Sequence, residues 1–323
     1  MATFLVTGGA GFIGSHLVDA LLARGHRVRV LDDLSSGKLE NLPSALLGEP
    51  GSGTPVEFYG GSIEDAELCV GAATGVAGIF HEAAQVSVPR SIEDPRTSYS
   101  VNVTGTLNVL EAARIAAVPR VVFAASSAAY GDTEELPKVE SMLPQPLSPY
   151  ASGKLAGEHL LRVYAHVHGI RTVALRYFNI FGPRQADDSP YTGVIAIFAK
   201  ALLEGRRAKI YGDGGQTRDF TYVDNVVDAN LRAMERDVPG GSVVNVGGAR
   251  RVSVLDLYRR MAELLDSRVE PSFEPPRAGD VRDSLASLER ARELLGYEPV
   301  VAWERGLEHT VAWYRHRAAH AHR

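Results

Sequence analysis

Residues 3–16 read Thr-Phe-Leu-Val-Thr-Gly-Gly-Ala-Gly-Phe-Ile-Gly-Ser-His, and this run constrains the chain more than any other. The β-prone stretch Thr3–Thr7 leads straight into Gly8-x-x-Gly11-x-x-Gly14 and then into a helical pattern over Ser15–Arg24. A strand that turns this sharply into a helix needs glycine at three points. Gly8 permits the tight turn, Gly11 lets the backbone approach a bound group, and Gly14 lets the helix pack on the strand. The N–H groups at the start of such a helix attract an anion, and a pyrophosphate meets that requirement.

Strand–helix alternation continues beyond this unit. Apolar, β-rich runs stand at Arg27–Leu31, Val56–Tyr59, Gly78–His81, Arg120–Ser126 and Arg171–Tyr177, with helical patterns at Val101–Ala117 and Tyr150–Gly169. Three of the runs are nearly continuous in Val, Leu, Ile and Phe, as strands buried on both faces are. The pattern predicts an α/β chain with a Rossmann-type, doubly wound parallel sheet. After Phe178 the rhythm changes. Phe181–Tyr191 reads as a loop, and helices at Val194–Glu204, Asp224–Arg236, Ser253–Leu265, Leu288–Leu295 and Trp303–Arg317 are separated by short strands and Gly/Pro turns. The expected division is a nucleotide-binding domain over 1–178 with a return segment at about 219–249, and a smaller mixed α/β substrate-binding lobe formed mainly by 179–323. A length of 323 residues suits two such units.

Composition narrows the function classes. The net charge is −5 with both signs scattered, so there is no basic stripe for a nucleic-acid backbone. Cys69 is the only cysteine, which rules out an intrachain disulfide and a multi-cysteine metal site. No apolar run reaches the ~18 residues expected of a membrane span. No charged and apolar leader precedes Thr3, so the expected location is cytoplasmic. The His- and Arg-rich stretch after Tyr314 is expected to be a frayed, solvated helix end, and no metal site is expected.

Asp32 ends the second strand run, where a carboxylate would grip an adenosine ribose. Asp32 with Asp33 points to NAD, because the 2′-phosphate of NADP would call for an arginine there. Phe12, Ile13, Leu34, Ser36 and Gly37 flank these positions and complete the expected nucleotide contacts. Downstream, Tyr150-Ala-Ser-Gly-Lys154 sets a phenol and an ammonium at i and i+4 on one helix face. A phenol near its usual pKa of ~10 is a poor base at neutral pH. A neighbouring ammonium and an oxidised nicotinamide would both favour the phenolate. Ser126-Ser127-Ala-Ala-Tyr130-Gly131 closes the preceding strand run.

The glycine turn, this strand end and Tyr150-x-x-x-Lys154 together resemble the extended short-chain dehydrogenase/reductase family, and specifically its NAD-dependent epimerase/dehydratase branch. The resemblance spans nearly the whole chain. It implies that Ser126, Tyr150 and Lys154 are catalytic, with Ser126 bridging Tyr150 and the sugar oxygen and Lys154 holding the nicotinamide ribose. It places Ala83 and Ala84 under the cofactor, with Ala125 and Tyr177 beside it. Gly61-Ser62-Ile63 stands where the family has Gly-Asp-Ile, so Ser62 departs from the usual adenine contact. Asn102 is expected to order the active-site hydrogen bonds, or to cap its helix, or both.

The same resemblance implies a UDP-sugar substrate. Val86, Ser87, Ser127, Phe178 and Tyr211 are expected around it, with Asn179 and Arg218 on the diphosphate. Val194 and Ile195 are expected to offer backbone near the uracil. Arg277 would supply a second phosphate contact and Asp280 a ribose contact. Sugar-nucleotide dehydratases of this type carry an Asp-Glu pair after the catalytic Ser/Thr, and the decarboxylases a Glu. This chain has Ser127 and Ala128, which leaves epimerisation at C4. Ser284 stands where a Tyr restricts relatives to plain hexoses, so N-acetylated UDP-hexoses are expected to fit. A glucuronate epimerase and a non-catalytic nucleotide sensor are the competing readings, and relatives imply a homodimer.

Overall fold

The computed structural model describes residues 1–186, 193–276 and 282–321. Eight strands make one parallel sheet: β1 (Thr3–Thr7), β2 (Arg27–Asp32), β3 (Leu47–Gly48), β4 (Val56–Gly60), β5 (Ile79–His81), β6 (Arg120–Ser126), β7 (Arg171–Tyr177) and β8 (Ser242–Val246). Their order is β8-β7-β6-β5-β1-β2-β4-β3, with every neighbouring pair parallel. The chain therefore leaves β1 toward one edge, returns to β5 and builds out to the other edge. A sheet wound both ways opens a crevice at the carboxyl ends of the two strands where the direction reverses. Here those strands are β1 and β5.

Side-chain alternation explains why the strand sequences read as unbroken apolar runs. Leu5 and Val6 enter opposite apolar layers, as do Phe123 and Val122. One layer holds Leu17, Val18 and Leu21 of the helix Phe12–Ala23 with Val226, Leu231 and Met234 of the helix Val223–Glu235. The other holds the helices Ala66–Ala73, Thr106–Ile115 and Pro149–His168. Gly157 lets the last of these close on the sheet: a Cβ there would stand 2.6 Å from Phe123 Cζ.

The doubly wound sheet expected from the sequence is present, and several boundaries moved. The first helix begins at Phe12, one residue after Gly11, and its N-terminus therefore abuts the glycine turn. The run Val101–Ala117 divides into a π-helical stretch, Ser100–Gly105, and the α-helix Thr106–Ile115. Within the stretch expected to be a loop, Ile180–Phe181 pairs with Thr221–Tyr222. The last helix continues through the His- and Arg-rich stretch to Ala321.

A third apolar cluster lies under the helices Val194–Leu203, Val254–Leu264 and Trp303–Ala321. Chain segments cross between this lobe and the sheet. The helix Val223–Glu235 and β8 belong to the sheet layer, and so do Leu288, Ala291, Leu295 and Tyr297. Asp219 ties these crossings together. It is fully buried, its Oδ1 accepts the Gly248 N–H at 2.7 Å and its Oδ2 accepts the Ala286 N–H at 3.0 Å. Replacing Asp219 with Ala strands the buried Ala286 N–H and the half-buried Gly248 N–H. We expect a loss of ~2–4 kcal/mol of stability, read as a lower urea midpoint at unchanged slope.

Candidate active site

A cleft of about 1310 Å³ opens over the carboxyl ends of β1, β2, β5, β6 and β7 and reaches into the lobe. Single small-molecule sites are typically roughly 300–1,000 Å³, so this space suits two nucleotide-sized ligands side by side.

The glycine turn forms one end. Gly8 has φ +69°, and a Cβ on it would meet Ala83 N at 2.7 Å. A Cβ on Gly14 would stand 2.2 Å from the Gly8 carbonyl oxygen. Gly11 caps the helix Phe12–Ala23 with no side-chain hydrogen bond, which leaves the first N–H groups for a ligand. Asp32, at the end of β2, accepts from Ala10 N at 2.9 Å and Leu34 N at 2.8 Å. Those bonds fix the carboxylate against the turn. Gly37 must be small, because a Cβ there would come 2.8 Å from Asp32 Oδ1. Phe12, Ile13, Leu34 and Ser36 border the same space. Asp33 is spent on a local turn, accepting from Ser35 N and Ser35 Oγ. Ser62 likewise closes a turn with Glu64, while Ile63 packs inward against Gly105.

The reactive end is built on β6 and the helix Pro149–His168. Ser148 accepts the Ala151 N–H as N-cap and Pro149 sits in the first turn, so Tyr150 and Lys154 start the helix at fixed positions. Ser126 closes β6, its hydroxyl accepts from Ala128 N at 3.2 Å, and both Ser126 and Tyr150 border the cleft. Burial raises the Tyr150 phenol above its ordinary value, and the Ser126 hydroxyl pulls the other way. Lys154 Nζ donates to Ala124 O at 2.8 Å above the Phe123 ring. Burial pushes its ammonium down to about 8, with Glu82 acting against that shift. The ligand-free site thus holds Tyr150 as the phenol, because desolvation of the anion outweighs its neighbours.

A buried polar chain runs beneath the cleft. Asn102 is 2% exposed, accepts from Gln85 N at 2.9 Å and donates to Gln85 O at 3.0 Å. It lies within the π-helical stretch and is no N-cap; its side chain clamps the strand β5 exit. The chain continues from Thr106 Oγ1, which donates to Asn102 O at 2.8 Å, to His81 and Thr7. His81 is fully buried, and desolvation together with Lys154 pushes its imidazolium down to about 3.

Beside this chain, Glu82 Oε1 accepts from the Tyr177 hydroxyl at 2.9 Å, and that hydroxyl accepts from Asn230 Nδ2 at 2.7 Å. Ala83, Ala84, Val86, Ser87, Ala125 and Ser127 all border the cleft.

On the lobe side, Asn179, Arg218 and Ser284 line the cleft. Arg218 Nη1 donates to Thr217 O and Arg282 O at 2.9 and 3.1 Å. Phe178 borders the cleft, but its ring is completely buried against Tyr130 and offers no surface to a ligand. Gly193 reaches the cleft, whereas Val194 and Ile195 turn their side chains into the lobe core. Tyr211 stands on a short strand paired with Ser272–Glu274. Arg277 and Asp280 lie outside the described residues. Sequence reasoning missed Thr7, Thr106, Trp313 and Arg317. The last two come to the cleft from the C-terminal helix, and no local motif marks them.

The family model described as "NAD dependent epimerase/dehydratase family" matches residues 4–247, and the chain belongs to that family. NAD is accordingly its cofactor, and the glycine turn, the uncapped helix start and Asp32 fit it. The chain is 45% identical to the UDP-glucose 4-epimerase of Mycolicibacterium smegmatis, over 97% of this chain and 99% of the relative. Among solved structures it is similar to the UDP-glucose 4-epimerase of Thermotoga maritima with UDP-glucose, at TM-score 0.91 and 40% identity, covering 98% and 99% of the two chains. It is equally similar in fold, at TM-score 0.91 and 35% identity, to a UDP-N-acetylglucosamine 4-epimerase from Methanobrevibacter ruminantium, with 98% and 99% covered. Among the described residues no metal-binding group occurs, and no helix is long and apolar enough to cross a membrane.

Burial gives the site a pH signature. It pushes the Glu82 carboxyl from 4.5 up to about 7, with Tyr177 and Lys154 opposing. A raised carboxyl favours the folded state below its unfolded value and loses that contribution as pH rises through the folded value. The ligand-free protein is therefore expected to lose stability between pH 4.5 and about 7 from this group, and Glu82→Gln to flatten that slope in urea titrations.

Proposed function

We propose that this protein is an NAD-dependent UDP-hexose 4-epimerase that interconverts UDP-glucose with UDP-galactose and UDP-N-acetylglucosamine with UDP-N-acetylgalactosamine. One observation carries the reading. Ser126, Tyr150 and Lys154 meet at one cleft with the glycine turn, and the residues after Ser126 carry no acid that could eliminate water or drive decarboxylation.

NAD, when bound, would supply the hydride acceptor and donor for sugar C4. Tyr150, ionised once the cofactor is bound, takes the proton from the 4-hydroxyl as a phenolate and later gives it back, with the Ser126 hydroxyl placed to hold the sugar oxygen. Lys154, anchored by Ala124 O, is placed to steady the nicotinamide ribose, and its ammonium with the charge of the oxidised ring would favour the Tyr150 phenolate against the burial that keeps the ligand-free phenol protonated. Epimerisation requires the 4-keto sugar to present its other face. The diphosphate must then be held firmly while the sugar is held loosely. Arg218, Asn179 and Arg277 suit the first task, since a planar guanidinium binds phosphate in two places. A small Ser284 suits the second and leaves room beside C2.

We also propose a homodimer. Leu107 and Ile115 on one helix and Val163 and Val167 on the neighbouring helix Pro149–His168 are exposed large apolar residues on adjacent elements. The cytoplasm is the proposed location, where NAD and UDP-sugars are held and a lone buried thiol such as Cys69 stays reduced.

Proton NMR of the purified protein with UDP-N-acetylglucosamine, then UDP-glucose, without added NAD, tests the reaction. Galacto-configured anomeric signals are expected from both sugars, and neither signal even after NAD is supplied would overturn the reading. Tyr150→Phe is expected to lower kcat by about 10²- to 10⁴-fold while the cofactor still binds. Ser284→Tyr is expected to cut turnover of the N-acetylated sugar by about 10-fold or more and to spare UDP-glucose. Val163→Asp with Val167→Asp is expected to yield monomers by sedimentation.

A further inference from the structure

Glu82 stands out among the groups the proposed chemistry leaves unused. Its Oε1 is taken by Tyr177, but Oε2 is buried and has no hydrogen-bond partner among the described residues. A buried carboxylate oxygen without a donor is costly unless a proton or a partner of opposite charge arrives. Glu82 also borders the cleft, so the partner has a route.

The sheet register says which end of the cofactor Glu82 meets. Asp32, on β2, marks the adenosine-ribose end on one side of β1. β5, β6 and β7 lie on the other side, in that order, and end together at the reactive groups. His81 pairs with Phe123, so Glu82 comes next to Ala124, the residue whose carbonyl anchors Lys154. Ser126 pairs with Tyr177, which holds Glu82 Oε1. Glu82 therefore sits under the end of the cleft where hydride must be exchanged.

The charged and titratable groups around it are few. Lys154 is the cation coupled to it, His81 is neutral and already satisfied by two threonines, and Tyr177 donates to it. A ligand bearing positive charge at this end would feel Lys154 repel it and Glu82 attract it. The oxidised nicotinamide ring carries such a charge and the reduced ring does not.

We propose that Glu82 Oε2 is a built-in electrostatic partner for the oxidised nicotinamide ring, so that the site holds NAD in preference to NADH. The preference serves a reaction with no net redox change. A site that stabilises the oxidised ring returns the hydride to the keto sugar and keeps the enzyme from stalling with reduced cofactor and released intermediate. The inference rests on NAD as cofactor and holds whichever sugar is turned over.

The test compares wild type, Glu82→Gln and Glu82→Asp as holoenzymes and after cofactor removal. Dissociation constants for NAD and NADH are measured separately, and the reduced fraction of bound cofactor is read from dihydronicotinamide absorbance with UDP-sugar present. Glu82→Gln is expected to shift the NAD-over-NADH affinity ratio toward NADH by about tenfold, the equivalent of one pKa unit, and to raise the reduced fraction. Glu82→Asp, which keeps the charge, is expected to hold the wild-type ratio more closely. Equal weakening of both cofactors by Glu82→Gln, or an unchanged ratio, would overturn the proposal and leave Glu82 a packing residue. Should Glu82→Gln fail to fold, Glu82→Leu, which removes the charge and keeps an apolar side chain of similar bulk, takes its place in the same comparison. A shift of its NAD-over-NADH affinity ratio toward NADH supports the inference, and an unchanged ratio refutes it.

Discussion

The contact between Gly14 and Gly8 leaves no space for a side chain, and most of the site follows from it. With a Cβ on Gly14 only 2.2 Å from the Gly8 carbonyl oxygen, the helix Phe12–Ala23 lies directly on the turn that starts it. Its uncapped N-terminus then faces the same crevice that the reversal of strand order opens between β1 and β5. Asp32 is drawn into place by the same turn, through Ala10 N. A larger residue at either glycine would move the helix, the anion site and the ribose carboxylate together.

The other end of the cleft depends on polar groups that are buried and satisfied. Thr106 donates to Asn102 O, His81 Nε2 donates to Thr106, and Thr7 donates to His81 Nδ1, an order that assigns one neutral tautomer. Burial enforces that neutrality. The chain links β1, β5 and the π-helical stretch, and Asn102 then packs against Gly153 between Tyr150 and Lys154. A Cβ on Gly153 would stand 3.2 Å from Asn102 Cβ, so the catalytic helix and the clamp on Gln85 are set against each other with little slack.

Against this satisfied background, the groups left charged or unpaired mark the chemistry. Tyr150 and Lys154 are both desolvated, in directions that keep the phenol protonated and make the ammonium easier to lose. Glu82 is the counter-charge to Lys154. Binding of a positively charged ring and a polyanionic sugar nucleotide changes this balance at the place where proton and hydride are exchanged.

The sequence by itself determined the alternation of buried strands and helices, the glycine turn with Asp32, and the pairing of Tyr150 with Lys154. Each is a local pattern: an apolar run, a glycine spacing, or an i,i+4 relation on one helix. Other features depend on packing that no local pattern shows. Phe178 follows Tyr177 at the edge of the cleft, where the core claims its ring. Asn102 looks like the start of a helix, yet it lies in a π-helical stretch and grips Gln85 across the cleft floor. Trp313 and Arg317 reach the cleft from the far end of the chain, and the unpaired oxygen of Glu82 is defined by Tyr177, 95 residues away in sequence. Burial and long-range pairing belong to the folded chain, and only the tertiary structure could decide them.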